Sequence, residues 1–214
     1  MEKIICVFGD SITWGALDQE KGGWTNRLKI FFGFLDNEYR DKVVVHNLGV
    51  DTNTTKDLLK RFENESRERY WDGSKNKDFK KDNICIFEIG KNDSIYVKTK
   101  DKPWVAIKEF EDNLIELIGR AGTFSSNVIF LGLAHVDETK TIPWEKTGES
   151  YDNENIEKYN SVLEKVCQDS EVHFINIMNL LNTEDLEDGV HPNSVGHQKI
   201  FEAVQKFLKS NKFL

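Results

Sequence analysis

Long apolar runs are missing from this sequence, since no stretch approaches the roughly 20 consecutive apolar residues that cross a bilayer. The opening segment MEKIICVFGD reaches Gly9 and Asp10 too early for the apolar region of a signal peptide. These two features predict a protein without a membrane span, located in the cytoplasm.

Cysteine is scarce, with three residues in a chain of 214, and their spacing fits neither a disulfide framework nor a metal site. Cys6 and Cys85 fall in predicted strands and Cys167 in a predicted helix, so we expect three buried thiols. Histidines and carboxylates show no metal-ligand spacing either. The sequence therefore predicts neither a metal nor a cofactor.

Net positive charge is absent as well, because 37 acidic residues outnumber 29 basic ones and give a formal net charge of -8. A surface with this balance repels nucleic acid and anionic lipid, so neither is an expected partner. Repeats, low-complexity tracts and linker-like segments are also missing, and residues 1–214 are predicted to form a single domain. The sequence does not indicate an oligomeric state.

Apolar, β-branched runs do occur, at residues 3–8, 43–48, 84–89, 127–133 and 172–177. Runs this continuous suit strands buried on both faces, which is typical of a parallel sheet covered by helices. Helical periodicity marks the segments between and after them, at residues 24–35, 54–69, 103–122, 153–169 and 193–210. The alternation predicts an α/β fold, a three-layer α/β/α sandwich around a five-stranded parallel sheet with a flavodoxin-like strand order.

Two long segments interrupt this alternation. Residues 70–83 are polar and lengthen the approach to the third strand, and residues 134–152 follow the fourth strand. Loops after the carboxyl ends of parallel strands are where such folds bind ligands. We therefore expect residues 134–152 to shape substrate specificity, together with residues 12–24, 50–55 and 94–104.

The stretch CVFGDSITWG ends a predicted strand at Gly9 and then places Ser11. A serine at this point can cap the helix that follows, bind a phosphate or act as a nucleophile. The local sequence alone does not separate these three roles.

Polar groups follow the first three predicted strands and precede the last helix, in the blocks GDS, NLG, GKND and DGVHPN. Because the carboxyl ends of parallel strands meet at one edge of a sheet, we expect the first three blocks to converge there. The fourth block lies in the loop that enters the last helix and can reach the same edge.

Together, these blocks suit acyl transfer. A nucleophilic serine needs a base, and the base needs an acid that fixes its tautomer. Asp188 and His191 are separated by only two residues and can supply that pair. The tetrahedral intermediate needs hydrogen-bond donors, and the backbone N–H of Gly49 and the side-chain amide of Asn92 are suitable.

The four blocks, in this order, closely resemble those of the SGNH hydrolases, also called the GDSL esterase/lipase family. The resemblance runs from Gly9 to His197. It implies that Ser11 is the nucleophile, that His191 is the base and that Asp188 completes the catalytic triad.

The same resemblance implies an oxyanion hole formed by Gly49, Asn92 and the backbone N–H of Ser11. The expected activity is cleavage of small-molecule carboxylic esters or thioesters through an acyl-enzyme. The natural substrate and its acyl length are not predicted.

Two positions depart from the family pattern. Members often carry a second glycine shortly after the one at Gly49, whereas this chain has Asp51, Thr52 and Asn53 there. We expect these side chains to alter the shape of the crevice. Lys91, within GKND, is expected to place a charge at the crevice mouth if its side chain points outward.

Among the aromatic and histidine residues, Trp14 is predicted to form a wall of the acyl pocket because it follows Ser11 closely. Further candidates for the crevice are Tyr96, Trp104 and Trp144. His135, in the loop after the fourth strand, is either a substrate contact or a loop residue without a role. His197, on the last helix, is expected to pack or to form a local hydrogen bond.

Two other functions remain open at this point. An acyltransferase would use the same triad on an alcohol acceptor. A flavodoxin-like module would hold a nucleotide or flavin phosphate in GDSITWG, but it leaves Asn92 and His191 unexplained.

Overall fold

Five parallel strands form the main sheet of a computed structural model that describes residues 3–35, 43–70, 82–144 and 149–213, without the side chains of residues 34 and 35. The strands are β1 (Lys3–Gly9), β2 (Val43–Gly49), β3 (Ile84–Glu88), β4 (Asn127–Leu131) and β5 (His173–Ile175). Their order is β2-β1-β3-β4-β5, which is the flavodoxin-like order predicted from the sequence. Most of the polar segment 70–83, namely residues 71–81, lies outside the described residues.

Helices cover both faces of the sheet and complete the predicted three layers. They are α1 (Ser11–Trp14), α2 (Trp24–Leu35), α3 (Thr55–Tyr70), α4 (Ile107–Ala121), α5 (Glu138–Thr141), α6 (Asn153–Asp169) and α7 (Ser194–Ser210). Helices α3, α4 and α6 pack on one face, and α2 and α7 pack on the other. A short antiparallel pair joins Tyr96–Val97 to Lys102–Pro103, and 3₁₀ turns occupy Lys98–Lys100 and Thr183–Asp185.

The apolar runs are buried on both faces of the sheet, as their continuity predicts. On the face under α3 and α4, the ring of Phe87 stacks on those of Phe8 and Phe130, with centroid distances of 5.8 and 4.6 Å. On the opposite face, Val7 and Ile86 pack under α2 and α7. Each of these side chains is fully buried, and burying one contributes about 1.5–3 kcal/mol relative to leaving it exposed.

The predicted helix 103–122 begins later than expected, at Ile107. Pro103 instead pairs with Tyr96 in the short antiparallel pair, so its fixed backbone angle serves an extended segment rather than a first helical turn. The helices α1 and α5 were not predicted, because four residues make about one turn and show no periodicity.

All three cysteines are buried and free, which confirms their predicted role as packed thiols. Across the described residues, no helix combines the length and apolarity that a membrane crossing requires. The cytoplasmic location stays a prediction.

The three motif-bearing strands end at one level of the sheet. Gly9 is paired with Gly49 on β2 and with Glu88 on β3. A Cβ at Gly49 would lie 2.2 Å from the backbone nitrogen of Trp14, and one at Gly9 would lie 2.2 Å from the carbonyl oxygen of Glu88. Only glycine at these two positions lets α1 lie directly on the strand ends. This close approach places Ser11 at the carboxyl ends of the strands.

Candidate active site

Ser11 is the first residue of α1, and its side chain is not used as the helix cap. Asp10 takes that role, because its Oδ1 accepts a hydrogen bond of 2.9 Å from the backbone nitrogen of Ile12. The Ser11 hydroxyl is therefore available, and its Oγ lies 2.9 Å from Nε2 of His191. The capping role considered for Ser11 is wrong.

The other ring nitrogen of His191 faces a carboxylate from the same turn. Its Nδ1 lies 2.9 Å from Oδ2 of Asp188, while Oδ1 of Asp188 accepts from the backbone nitrogens of Val190 and His191 at 3.1 and 2.9 Å. A carboxylate can only accept, so Nδ1 carries the proton in this contact. Nε2 is then left as an acceptor for the hydroxyl of Ser11.

The loop that carries Asp188 and His191 is closed on itself. Leu186 and Pro192 form a β-bridge, and the backbone nitrogen of Glu187 donates to the carbonyl oxygen of His191 at 2.9 Å. Asn193 then caps α7 by accepting from the backbone nitrogens of its first turn. The imidazole is thus held by a rigid loop at the entrance to a long helix.

Asn92 joins two loops with its side-chain amide. Nδ2 donates to the carbonyl oxygen of Asn53 at 3.0 Å, and Oδ1 accepts from the hydroxyl of Tyr151 at 2.9 Å. The next residue, Asp93, accepts from the backbone nitrogen of Thr55 at the start of α3, and burial raises the pKa of Asp93 to about 7. Asn92 is 6 % exposed and is fixed on three sides.

The backbone N–H of Gly49 already has an acceptor. It donates to Oδ1 of Asn47 at 3.0 Å, and Nδ2 of Asn47 in turn donates to the carbonyl oxygen of Trp14. Asn47 is exposed to solvent. An oxyanion bound at Gly49 would have to share or replace this exposed side chain.

The side chain of Lys91 points inward, so it places no charge at the crevice mouth. Its side chain is 2 % exposed and lies near two equally buried carboxyl groups, Asp10 and Glu88. Burial lowers the pKa of Lys91 and raises the pKa of both acids. We refer to Asp10, Glu88 and Lys91 as the buried charge cluster. Thr13 of α1 anchors it through a 2.9 Å hydrogen bond to Oε2 of Glu88.

Comparison with known proteins identifies the family of this chain. The model of the GDSL-like lipase/acylhydrolase family matches residues 7–199. The chain belongs to that family. It is accordingly a carboxylic ester hydrolase of the GDSL type, as its four sequence blocks predict.

Solved structures share the fold of this family member across nearly its whole length. A lipase/acylhydrolase from Enterococcus faecalis is 22% identical with a TM-score of 0.73, and covers 99% of this chain and 97% of its own. An acetylxylan esterase from Geobacillus stearothermophilus is 20% identical with a TM-score of 0.66, and covers 97% and 92%. No curated protein sequence gives a significant match.

Around the GDSL-type site, the aromatic side chains occupy different depths. The side chain of Trp14 is 59% exposed, and its role as a wall of the acyl pocket stays a prediction. Trp144 is buried, with its ring centroid 6.3 Å from that of His191, so this candidate for the crevice does contact the site. The imidazole of His135 lies 2.9 Å from Glu157 of α6 and is not brought to Ser11.

Sequence reasoning does not identify two contacts of Asn92, with the hydroxyl of Tyr151 and with the backbone carbonyl oxygen of Asn53. Both residues lie in segments expected to shape substrate specificity, where Asn53 is noted only for its side chain. Their contacts with Asn92 span 59 and 39 positions of sequence, so local patterns carry no signal for them. Among the described residues, no group of three or more metal-ligating side chains is placed to hold an ion.

Proposed function

We propose that this GDSL-family hydrolase cleaves small carboxylic esters or thioesters through an acyl-enzyme formed on Ser11. His191 acts as the base and Asp188 orients it. The observation that carries the proposal is the unbroken line of contacts from Asp188 Oδ2 to His191 Nδ1 and from His191 Nε2 to Ser11 Oγ, each 2.9 Å long.

In the first step, Oγ of Ser11 attacks the acyl carbon and its proton passes to Nε2 of His191. The carboxylate of Asp188 stabilises the imidazolium that results. His191 then gives the proton to the departing alcohol or thiol, and the bond from the acyl carbon to the leaving group breaks. Water repeats the sequence on the acyl-enzyme, with His191 again as base, and frees Ser11 and the carboxylic acid.

The oxyanion of each tetrahedral intermediate needs donors aimed at it. Nδ2 of Asn92 has two hydrogens, of which Asn53 takes one. The backbone N–H of Ser11 belongs to the first turn of α1, where no intrahelical acceptor exists. The backbone N–H of Gly49 is a third donor, provided that it bonds the oxyanion as well as, or in place of, Oδ1 of Asn47.

The decisive experiment combines a fluorophosphonate probe with a panel of p-nitrophenyl esters of graded acyl length. We expect the probe to label Ser11 and the Ser11→Ala variant to lose ester hydrolysis while keeping its melting temperature. Ser161→Ala, an exposed serine whose hydroxyl bonds only within α6, is the matched control and should stay active. Labelling of another residue, or full activity in Ser11→Ala, would contradict the proposal.

The same assay tests transfer against hydrolysis. Product analysis with and without an added alcohol acceptor measures how the acyl group partitions. A hydrolase should give free acid as the main product in both conditions. If the acylated alcohol is the main product, the protein is instead an acyltransferase that uses the same residues.

A further inference from the structure

The amide of Asn92 can serve an oxyanion in only one of its two orientations. The two ends of an asparagine amide have nearly the same size, but Nδ2 donates hydrogen bonds and Oδ1 accepts them. An oxyanion placed next to Oδ1 would be repelled. Some neighbour must therefore fix which end faces the acyl group.

The neighbours of Asn92 determine this orientation without ambiguity. The carbonyl oxygen of Asn53 can only accept, so the end of the amide that lies 3.0 Å from it must be Nδ2. The opposite end, which faces the hydroxyl of Tyr151 at 2.9 Å, is then Oδ1. Tyr151 must donate its single hydrogen to that oxygen.

Tyr151 keeps this hydrogen at neutral pH. The residue is 7% exposed, and burial raises the pKa of its phenol above the ordinary value, with the charge of Asp10 adding to the effect. The hydroxyl is therefore protonated and can donate to Oδ1 of Asn92. A donor on Oδ1 also polarises the amide and strengthens donation from Nδ2.

Both partners of Asn92 are themselves held in place. The carbonyl oxygen of Tyr151 accepts from Oγ1 of Thr141 at 2.7 Å, and the Tyr151 ring lies edge-on to Trp144 at 5.6 Å. On the other side, Nε of Arg61 donates to Oδ1 of Asn53 at 2.7 Å. The amide of Asn92 thus sits between two anchored loops.

We propose that Tyr151 is a positioning residue for ester hydrolysis, which holds Asn92 with Nδ2 toward the acyl oxygen. The proposal rests on the function proposed above. It also gives the segment after β4 a part in transition-state stabilisation, in addition to the substrate specificity expected of it.

Tyr151→Phe removes the donor and keeps the ring that packs on Trp144. We expect kcat to fall about 3- to 10-fold, within the range that corresponds to one net hydrogen bond, with KM changed less than about twofold. Replacing Tyr151 with p-aminophenylalanine, which keeps a donor at the same position, should restore most of the lost kcat. Tyr70→Phe is the matched control, because the hydroxyl of Tyr70 donates to the carbonyl oxygen of Ile84 at the amino end of β3, away from the site.

The double variant separates positioning from a general structural effect. In an Asn92→Ala background, Tyr151→Phe should change kcat by less than about twofold, because the group it acts through is gone. An equal loss of kcat in both backgrounds, or wild-type kcat in Tyr151→Phe alone, would overturn the role of Tyr151. If Ser11→Ala is inactive in the same assays, such a result leaves the proposed function intact, whereas an active Ser11→Ala overturns that function itself.

Discussion

Oδ2 of Asp188 lies 2.9 Å from Nδ1 of His191, and one short turn holds both residues. This contact is formed within one turn, because the carboxylate of Asp188 also accepts a hydrogen bond from the backbone N–H of His191, three residues later. The contact of His191 with Ser11, by contrast, spans 180 positions and exists only because β1 and the loop before α7 meet at one sheet edge. One turn sets the proposed acid–base pair, and the fold brings the proposed nucleophile, Ser11, to it.

Asp188→Asn tests the first of these contacts. The variant can keep the backbone bonds of Oδ1, but its Nδ2 would face Nδ1 of His191 and favour the wrong tautomer. We expect kcat to fall by about 10³-fold or more, with little change in KM, in steady-state assays on an activated ester. Asp185→Asn is the control in the same loop, because Asp185 pairs with Lys199 and not with His191. A variant at Asp188 that keeps more than about a tenth of kcat would contradict the assignment.

Asn92→Ala tests the side-chain oxyanion donor. Because the bond matures only in the transition state, kcat should fall by about 10²–10³-fold while KM changes little. Asn113→Ala, which removes an amide bonded to Oγ1 of Thr55, controls for the loss of a part-buried asparagine near the same helix start. Wild-type kcat together with a lowered melting temperature in Asn92→Ala would reduce Asn92 to a structural turn residue.

The sequence predicts those parts of the molecule whose cause is local. Continuous apolar runs placed all five strands, and the blocks at their carboxyl ends pointed to Ser11, Gly49 and Asn92 because parallel strand ends share an edge. The turn from Asp188 to His191 could likewise be read directly. Each of these features depends on residues close together in the chain or on topology alone.

Features that depend on long-range burial could not be predicted. Glu88 lies in an otherwise apolar strand, and nothing local shows that it forms a buried charge cluster with Lys91 and Asp10. The sequence therefore leaves open whether the side chain of Lys91 points outward. Similarly, the partnership of Tyr151 with Asn92 needs the three-dimensional path of the segment after β4.

The buried charge cluster makes a prediction about stability. Lys91→Met would leave Asp10 and Glu88 without their buried cation, and we expect a loss of about 3 kcal/mol in the free energy of unfolding at pH 7. Adding Glu88→Gln removes one carboxylate and should recover part of that loss. Urea denaturation measures both variants. Lys108→Met, an exposed lysine that pairs with Glu111, is the control and should leave the curve unchanged. A double variant no more stable than Lys91→Met would show that charge balance is not the cause.

His197 makes a prediction about pH. This histidine is packed inside the protein, as expected, and its hydrogen bonds reach residues 173 and 181 positions away in the sequence. Its ring is fully buried, with Nδ1 3.3 Å from the backbone nitrogen of Trp24 and Nε2 3.1 Å from the carbonyl oxygen of Ala16. The first contact requires an unprotonated Nδ1, and burial lowers the pKa of His197 from 6.5 to about 4. Between these two values the unfolded chain binds a proton that the folded protein does not.

The contribution of neutral His197 to the free energy of unfolding is therefore fully present above pH 6.5. It is lost as the pH falls toward 4. The loss is on the order of 3 kcal/mol across that window. His197→Gln removes this titration, so its free energy of unfolding should fall less steeply than that of the wild type between pH 7 and pH 4.5. Urea denaturation at several pH values measures the free energy of unfolding of both proteins. Buried acids such as Asp93 titrate in both, so their effect cancels in the difference. Parallel pH profiles for the two proteins would mean that His197 is charged in the fold, against the geometry of its bond from Trp24.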